Sequence, residues 1–162
     1  MRTYLPAKFD DLQQIEGETL TLKAGTIVYG VSLTGKEHYA EHDINDDEEL
    51  EYLAFITAGV ESLYLLAQDL EAKKMRVVIS LDIAETNLKS LADATNTENL
   101  WGFEVIGDLK LPVACLHIDE EAARQQIEAA FSGEQQDLEN LIETDLLWFD
   151  ISELDQVLKG SF

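Results

Sequence analysis

Two histidines four residues apart, with a glutamate between them, are the first candidates for chemistry. His38-Tyr39-Ala40-Glu41-His42 fits H-x-x-E-H, the inverted zinc-protease pattern. On a helix His38 and His42 stand one turn apart on one face, where their imidazoles can share a tetrahedral metal. Glu41 would be the catalytic residue, close enough to polarise a metal-bound water. The chain holds three histidines. His117 is the expected third metal ligand if its strand ends at the same edge of the sheet, with Glu120 and Glu121 as alternatives. This set reads as a zinc-dependent hydrolase. The competing reading has no cofactor: a solvated helix end whose histidines ease the surrounding negative charge. Inverted zinc proteases are much larger proteins, and nothing else of their pattern occurs here.

Ser32, Asp82, Asp119 and Asp150 form a second candidate set, for binding a ligand. Each lies at or just past the carboxyl end of a predicted strand, and in open α/β sheets ligands lie beyond the carboxyl ends of parallel strands. Pro6, Thr34 and His117 would share that edge. Such a set suits a small polar molecule or a cation. Carboxylates after strands are also helix caps, a role that fits Asp119 ahead of Glu120. Other chemistries lack their patterns. There is no G-x-G-x-x-G, no P-loop and no nucleophile elbow around Ser32, and Asp46-Asp47-Glu48-Glu49 lacks the alternating Asp/Asn and Gly of a calcium loop. Trp101 and Trp148 read as core.

The elements that must position these residues are legible from periodicity. Short strands are expected at Arg2 to Leu5, Ile27 to Val31, Met75 to Asp82, Trp101 to Ile106, Val113 to Ile118 and Leu146 to Ile151. Helices are expected near Lys8 to Glu16, from a Thr34-Gly35-Lys36-Glu37 capping box to about His42, over Glu120 to Phe131 and Gln135 to Ile142, and after Ser152. The longest runs from Asp46 to about Ala72. Its two adjacent apolar rows predict burial over most of its circumference, which makes it the central helix. Residues 84–98, polar and rich in Asn and Thr, are expected to be a flexible loop. Strands alternating with helices predict an α/β fold: a mixed, mostly parallel sheet of five to six strands, with a hairpin between the strands near Trp101 and Val113.

The 162 residues are expected to form a single domain over 1–162, long enough for its own core. Hydrophobic residues at 46% exclude general disorder even though 11 Lys and Arg face 33 Asp and Glu, a formal charge of −22. Such a field repels phosphate backbones and anionic bilayers, which disfavours direct nucleic-acid or membrane binding. It favours a basic protein partner, or mimicry of nucleic acid; the plainest role of the acidity is solubility. Cys115 is alone, so no internal disulfide forms, and the N-terminus carries no apolar signal region; a cytoplasmic location is expected. Tyr52 and Phe55 fit a monomer's core or a homodimer's interface equally well.

Several segments in order carry a resemblance. Met1 to Ala7, Tyr39-Ala40-Glu41 leading into Glu48-Glu49-Leu50-Glu51-Tyr52, Arg76-Val77-Val78, His117-Ile118-Asp119 and Leu146 to Asp150 together resemble a family of small acidic actinobacterial proteins of unknown function. The resemblance implies a cytoplasmic bacterial protein and brings no activity with it. It includes the Tyr-Ala-Glu step but not the flanking histidines, so a metal role for them would be peculiar to this chain. The leading functional expectation is a non-catalytic acidic module that works through protein contacts, ahead of the metal-dependent hydrolase and the nucleic-acid mimic.

Overall fold

Among the described residues of the computed structural model, 1–133 and 135–160, eight strands join one sheet. They are β1 (Arg2–Ala7), β2 (Thr19–Leu22), β3 (Ile27–Tyr29), β4 (Val77–Asp82), β5 (Leu88–Ser90), β6 (Gly102–Val105), β7 (Leu109–Ile118) and β8 (Leu147–Asp150). Their order is β2-β7-β4-β1-β3-β6-β5, with β8 also on β7, and every one of these pairings is antiparallel. The helices are α1 (Leu33–Ala40), α2 (Asp47–Gln68), α3 (Ala123–Phe131), α4 (Gln135–Glu143) and α5 (Leu154–Leu158). The content is α/β as expected, but the mostly parallel sheet of five to six strands is corrected to an antiparallel one of eight.

The physical reason lies in β1. Strands β3 and β4, joined through α1 and α2, do run the same way, as a β-α-β crossover would have them. Strand β1 lies between them and is antiparallel to both, so the parallel pair never touches. The hairpin expected between the strands near Trp101 and Val113 is corrected too. The end of β6 and the start of β7 both reach the residues 22–26 segment: the Gly25 N–H donates to the Val105 carbonyl at 2.8 Å, the Ala24 N–H to the Asp108 carboxylate at 2.8 Å, and Leu22 pairs with Leu109. The two strands meet near their ends instead of side by side. The 84–98 segment, expected as a loop, contains a 3-10 turn (Glu85–Asn87) and β5.

One core fills the sheet face carrying Ile79, Leu81 and Leu116, closed by Leu12 from a 3-10 turn (Phe9–Gln14) and by Val157 of α5. Fully burying each such aliphatic side chain is worth roughly 1.5–3 kcal/mol. On the other face Tyr4, Tyr29 and Val78 meet α2, and further along α2 Leu63 and Leu66 meet Ile127 and Leu141 of the α3–α4 pair. The residues of α2 nearest the sheet are small: Ala54 and Ala58 are fully buried, and Ser62 accepts from the Val77 N–H at 3.0 Å while donating to the Ala7 carbonyl at 2.7 Å. Small side chains let the helix approach closely, and its larger ones splay to the flanks. Burial over most of the circumference, the expectation from sequence, therefore gives way to a helix with one covered side: Leu53, Phe55, Ile56 and Val60 are half-buried, and Tyr52 and Tyr64 are exposed. By length and composition alone α2 could cross a membrane; here its covered side packs on the sheet.

Candidate functional site

Helix α1 begins at the Ser32 hydroxyl, which accepts from the Gly35 N–H at 2.9 Å and donates to the Leu100 carbonyl. A side chain at Gly35 would collide with Trp101, whose ring comes within 2.5 Å of an added Cβ, so glycine is what seats α1 against the sheet. Tyr39 stacks on the same Trp101. The helix ends at Ala40, with Glu41 as its C-terminal cap and His42 in the turn beyond, and the His38 and His42 rings stand 5.4 Å apart edge to face. His117 lies elsewhere: its strand, β7, runs opposite to β3, so its carboxyl end falls at the far edge of the sheet from the start of α1. Among the described residues no group of three or more His, Cys, Asp or Glu side chains is placed to hold a metal ion. The structure brings His38 and His42 together and does not bring His117 to them.

His117 belongs to a different cluster, under α2. Its Nε2 is 2.9 Å from the Ser80 hydroxyl and 3.4 Å from the Cys115 thiol, and Phe55 covers its ring at 4.7 Å. Burial, and secondarily the charge of Arg2, push its pKa down to about 4, so the imidazole is neutral at pH 7 and its Nε2 either accepts from one of the two neighbours or donates to one, according to the tautomer. Burial likewise pushes the phenols of Tyr4 and Tyr29 up to about 12. Cys115 is free and buried. This neutral network ties β4 to β7 beneath the helix.

The second candidate set divides between two edges, because neighbouring strands alternate in direction. Ser32, Asp82 and Asp150 follow strands that share a direction and lie at one edge; Asp119 follows β7 and lies at the other. Each has a protein partner. Asp82 takes Arg2 at 2.8 Å. Asp150 caps the 3-10 turn Ile151–Glu153, accepting from the Ser152 N–H at 3.0 Å. Asp119, expected as a cap for the following helix, instead accepts from Arg76 Nε at 2.9 Å, Arg76 Nη2 at 2.8 Å and the Arg76 N–H at 2.8 Å, with both side chains buried. Ser32 also lines an open cleft of about 470 Å³ with Val31, Leu33, Lys36, Glu85 and Phe103.

The outer side of α2, where the sequence left Tyr52 and Phe55 open between core and interface, is a further surface. Tyr52, Ile56, Val60 and Tyr64 recur every fourth residue and form one slanted row, with Tyr52 and Tyr64 50% and 59% exposed. Beside the row runs a groove whose far wall is the end of α4 and its connection to β8: Phe55, Ile56, Gly59 and Val60 on one side, Ile142 and Leu146 on the other. Trp148, paired with His117 across β7 and β8, is exposed. Glu48, Glu51 and Asp145 are exposed acids on the elements that form this surface, and α2 carries no Lys or Arg along its length. The signal was available in the sequence. Small residues at 54, 58 and 62, four apart, mark the close-approach side, so the bulky row had to face elsewhere.

No curated protein and no solved structure matches the chain. A sequence model of one family matches residues 1–158, nearly the whole length, and by that match the chain belongs to DUF6912, a family of unknown function.

Proposed function

We propose that the protein is a non-catalytic interaction module that docks a basic, amphipathic segment of a partner protein on the exposed side of α2. The observation that carries this reading is the Tyr52–Ile56–Val60–Tyr64 row on a 22-residue helix with five carboxylates and no cation. Exposed tyrosines beside half-buried aliphatics are the composition of an interface centre, where aromatic side chains bury much area at small entropic cost. The row spans about 18 Å at 1.5 Å per residue, three turns of a facing helix. A second copy of the chain is the poorer fit, since it would bring −22 against −22. The acidic field would instead speed the approach of a Lys- or Arg-rich partner. The lone free thiol and the absence of a disulfide suit a cytoplasmic setting for this role.

The test uses a synthetic 14-residue Leu/Lys amphipathic peptide followed by fluorescence anisotropy, with a Leu/Glu peptide of the same pattern as control. The Leu/Lys peptide is expected to bind, more weakly as salt rises, and the Leu/Glu peptide not to. Replacing both Tyr52 and Tyr64 with Ser is expected to weaken binding by at least about tenfold, the loss of one interface hot spot. Equal binding to native protein and double variant, or equal binding of the two peptides, refutes the reading.

A further inference from the structure

Gly59 sits in the middle of α2, where glycine is destabilising relative to alanine because it adds backbone entropy to the unfolded chain. Gly35 has a reason to be glycine, since Trp101 occupies the space a side chain would need. At Gly59 an added Cβ would meet no atom within 4 Å. The missing side chain therefore answers to nothing inside the molecule. It opens a notch in the groove beside the α2 row, between Phe55, Ile56 and Val60 on the helix and, facing them, Ile142 at the end of α4 and Leu146 on the connection to β8.

Building on the docking reading above, we propose that this notch is the anchor point of the interface, and that it takes the methyl end of a Leu, Ile or Val from a partner helix carrying a Lys or Arg within one turn of that residue. Size sets the first part. The notch has a volume of about 10 Å³, room for one methyl-sized group and not for a ring. Chemistry agrees: five of its walls are apolar side chains, and the guanidinium at its border, Arg76, is already committed to Asp119 and the Thr144 carbonyl. A water there finds few partners, and an aliphatic end loses nothing by replacing it. Charge sets the second part. Asp145 stands exposed at the rim, and α2 offers no cation to compete for it.

Gly59→Ala and Gly59→Leu test the notch apart from the docking surface. With the same Leu/Lys peptide, Gly59→Ala is expected to melt at the same or a higher temperature than native protein and to bind more weakly. Gly59→Leu is expected to lose at least about tenfold in affinity. An alanine scan of the peptide's leucines should find one position that costs about tenfold on native protein and nothing on Gly59→Ala, because the group it would have filled is already displaced. Equal affinity of native protein and Gly59→Ala, with no leucine standing out, overturns the notch and leaves the α2 surface in place. No binding to native protein overturns both.

Discussion

An arginine–aspartate pair stands at either end of β4, and the two share a geometry while differing in surroundings. At one end Arg76 meets Asp119 at 2.8 and 2.9 Å, with side chains 4% and 0% exposed. At the other Arg2 meets Asp82 at 2.8 and 3.3 Å, with side chains 38% and 63% exposed. The forked guanidinium–carboxylate contact is the same in both, so its chemistry does not decide its weight. Water does. At the outer pair solvent screens the attraction and is ready to replace either partner. At the inner pair neither group can return to water without unfolding, and each has a further hydrogen bond, Asp119 from the backbone N–H of Arg76 and the guanidinium to the Thr144 carbonyl.

Asp119→Ala breaks the comparison most severely. It strands a buried guanidinium, at an expected cost of about 3–5 kcal/mol in urea unfolding. A loss below 1 kcal/mol would mean that Arg76 finds water, and that the two ends of β4 are alike after all. His117, between the two pairs, comes next. Its folded pKa lies near 4 against 6.5 in the unfolded chain, so below pH 6.5 the unfolded state takes up a proton that the folded state refuses. The stabilisation is complete above pH 6.5 and is lost as the pH falls to about 4, by about 3 kcal/mol. Because the 33 carboxylates titrate in both proteins alike, the difference in unfolding free energy between native protein and His117→Gln isolates this effect, and should narrow on acidification. A constant gap from pH 7 to pH 4 refutes it.

The sheet edge that carries Asp82 and Ser32 sharpens the comparison with two smaller effects. Ser32→Ala removes the cap of α1 and is expected to cost about 1 kcal/mol, up to 2, measured as a lowered midpoint in urea. Asp82→Ala should cost at most about 1 kcal/mol, and that difference should disappear in high salt. If Asp82→Ala proves as damaging as Asp119→Ala, exposure is the wrong explanation for what separates the pairs.

The long helix was readable because its signals agree: an acidic first turn, an apolar pattern too long for a strand, and a capping residue, Asp46, whose carboxylate accepts from the Glu48 N–H. Most of the strands were readable for the same kind of reason. Strand partners were not, because periodicity reports which face of a strand is apolar and not which strand lies beside it; nothing in the chain from 33 to 76 announces that β1 will slip between β3 and β4. Strand β5 escaped notice because it lies inside the polar 84–98 segment read as a loop, and β2, although its leucines alternate with threonines, was not distinguished from the turns around it. Among the candidate residues, Ser32 and Asp119 were noticed for the right property, a polar side chain at the end of a strand. What decided their use was the neighbour each one met: a helix N-terminus for Ser32 and a buried arginine for Asp119. The histidine pattern was real as spacing, but a metal needs convergence in space, which spacing within one helix cannot provide.

Arg76 has one more contact, to the Thr144 carbonyl at 2.9 Å, and that contact fixes the far lip of the α2 groove to the interior of the sheet. On the docking reading proposed above, a visiting chain would meet a jaw already set, and this side of the encounter would give up little motional freedom on binding. Arrival times should then reflect diffusion and ionic strength, while differences among visitors should show in how long each one stays.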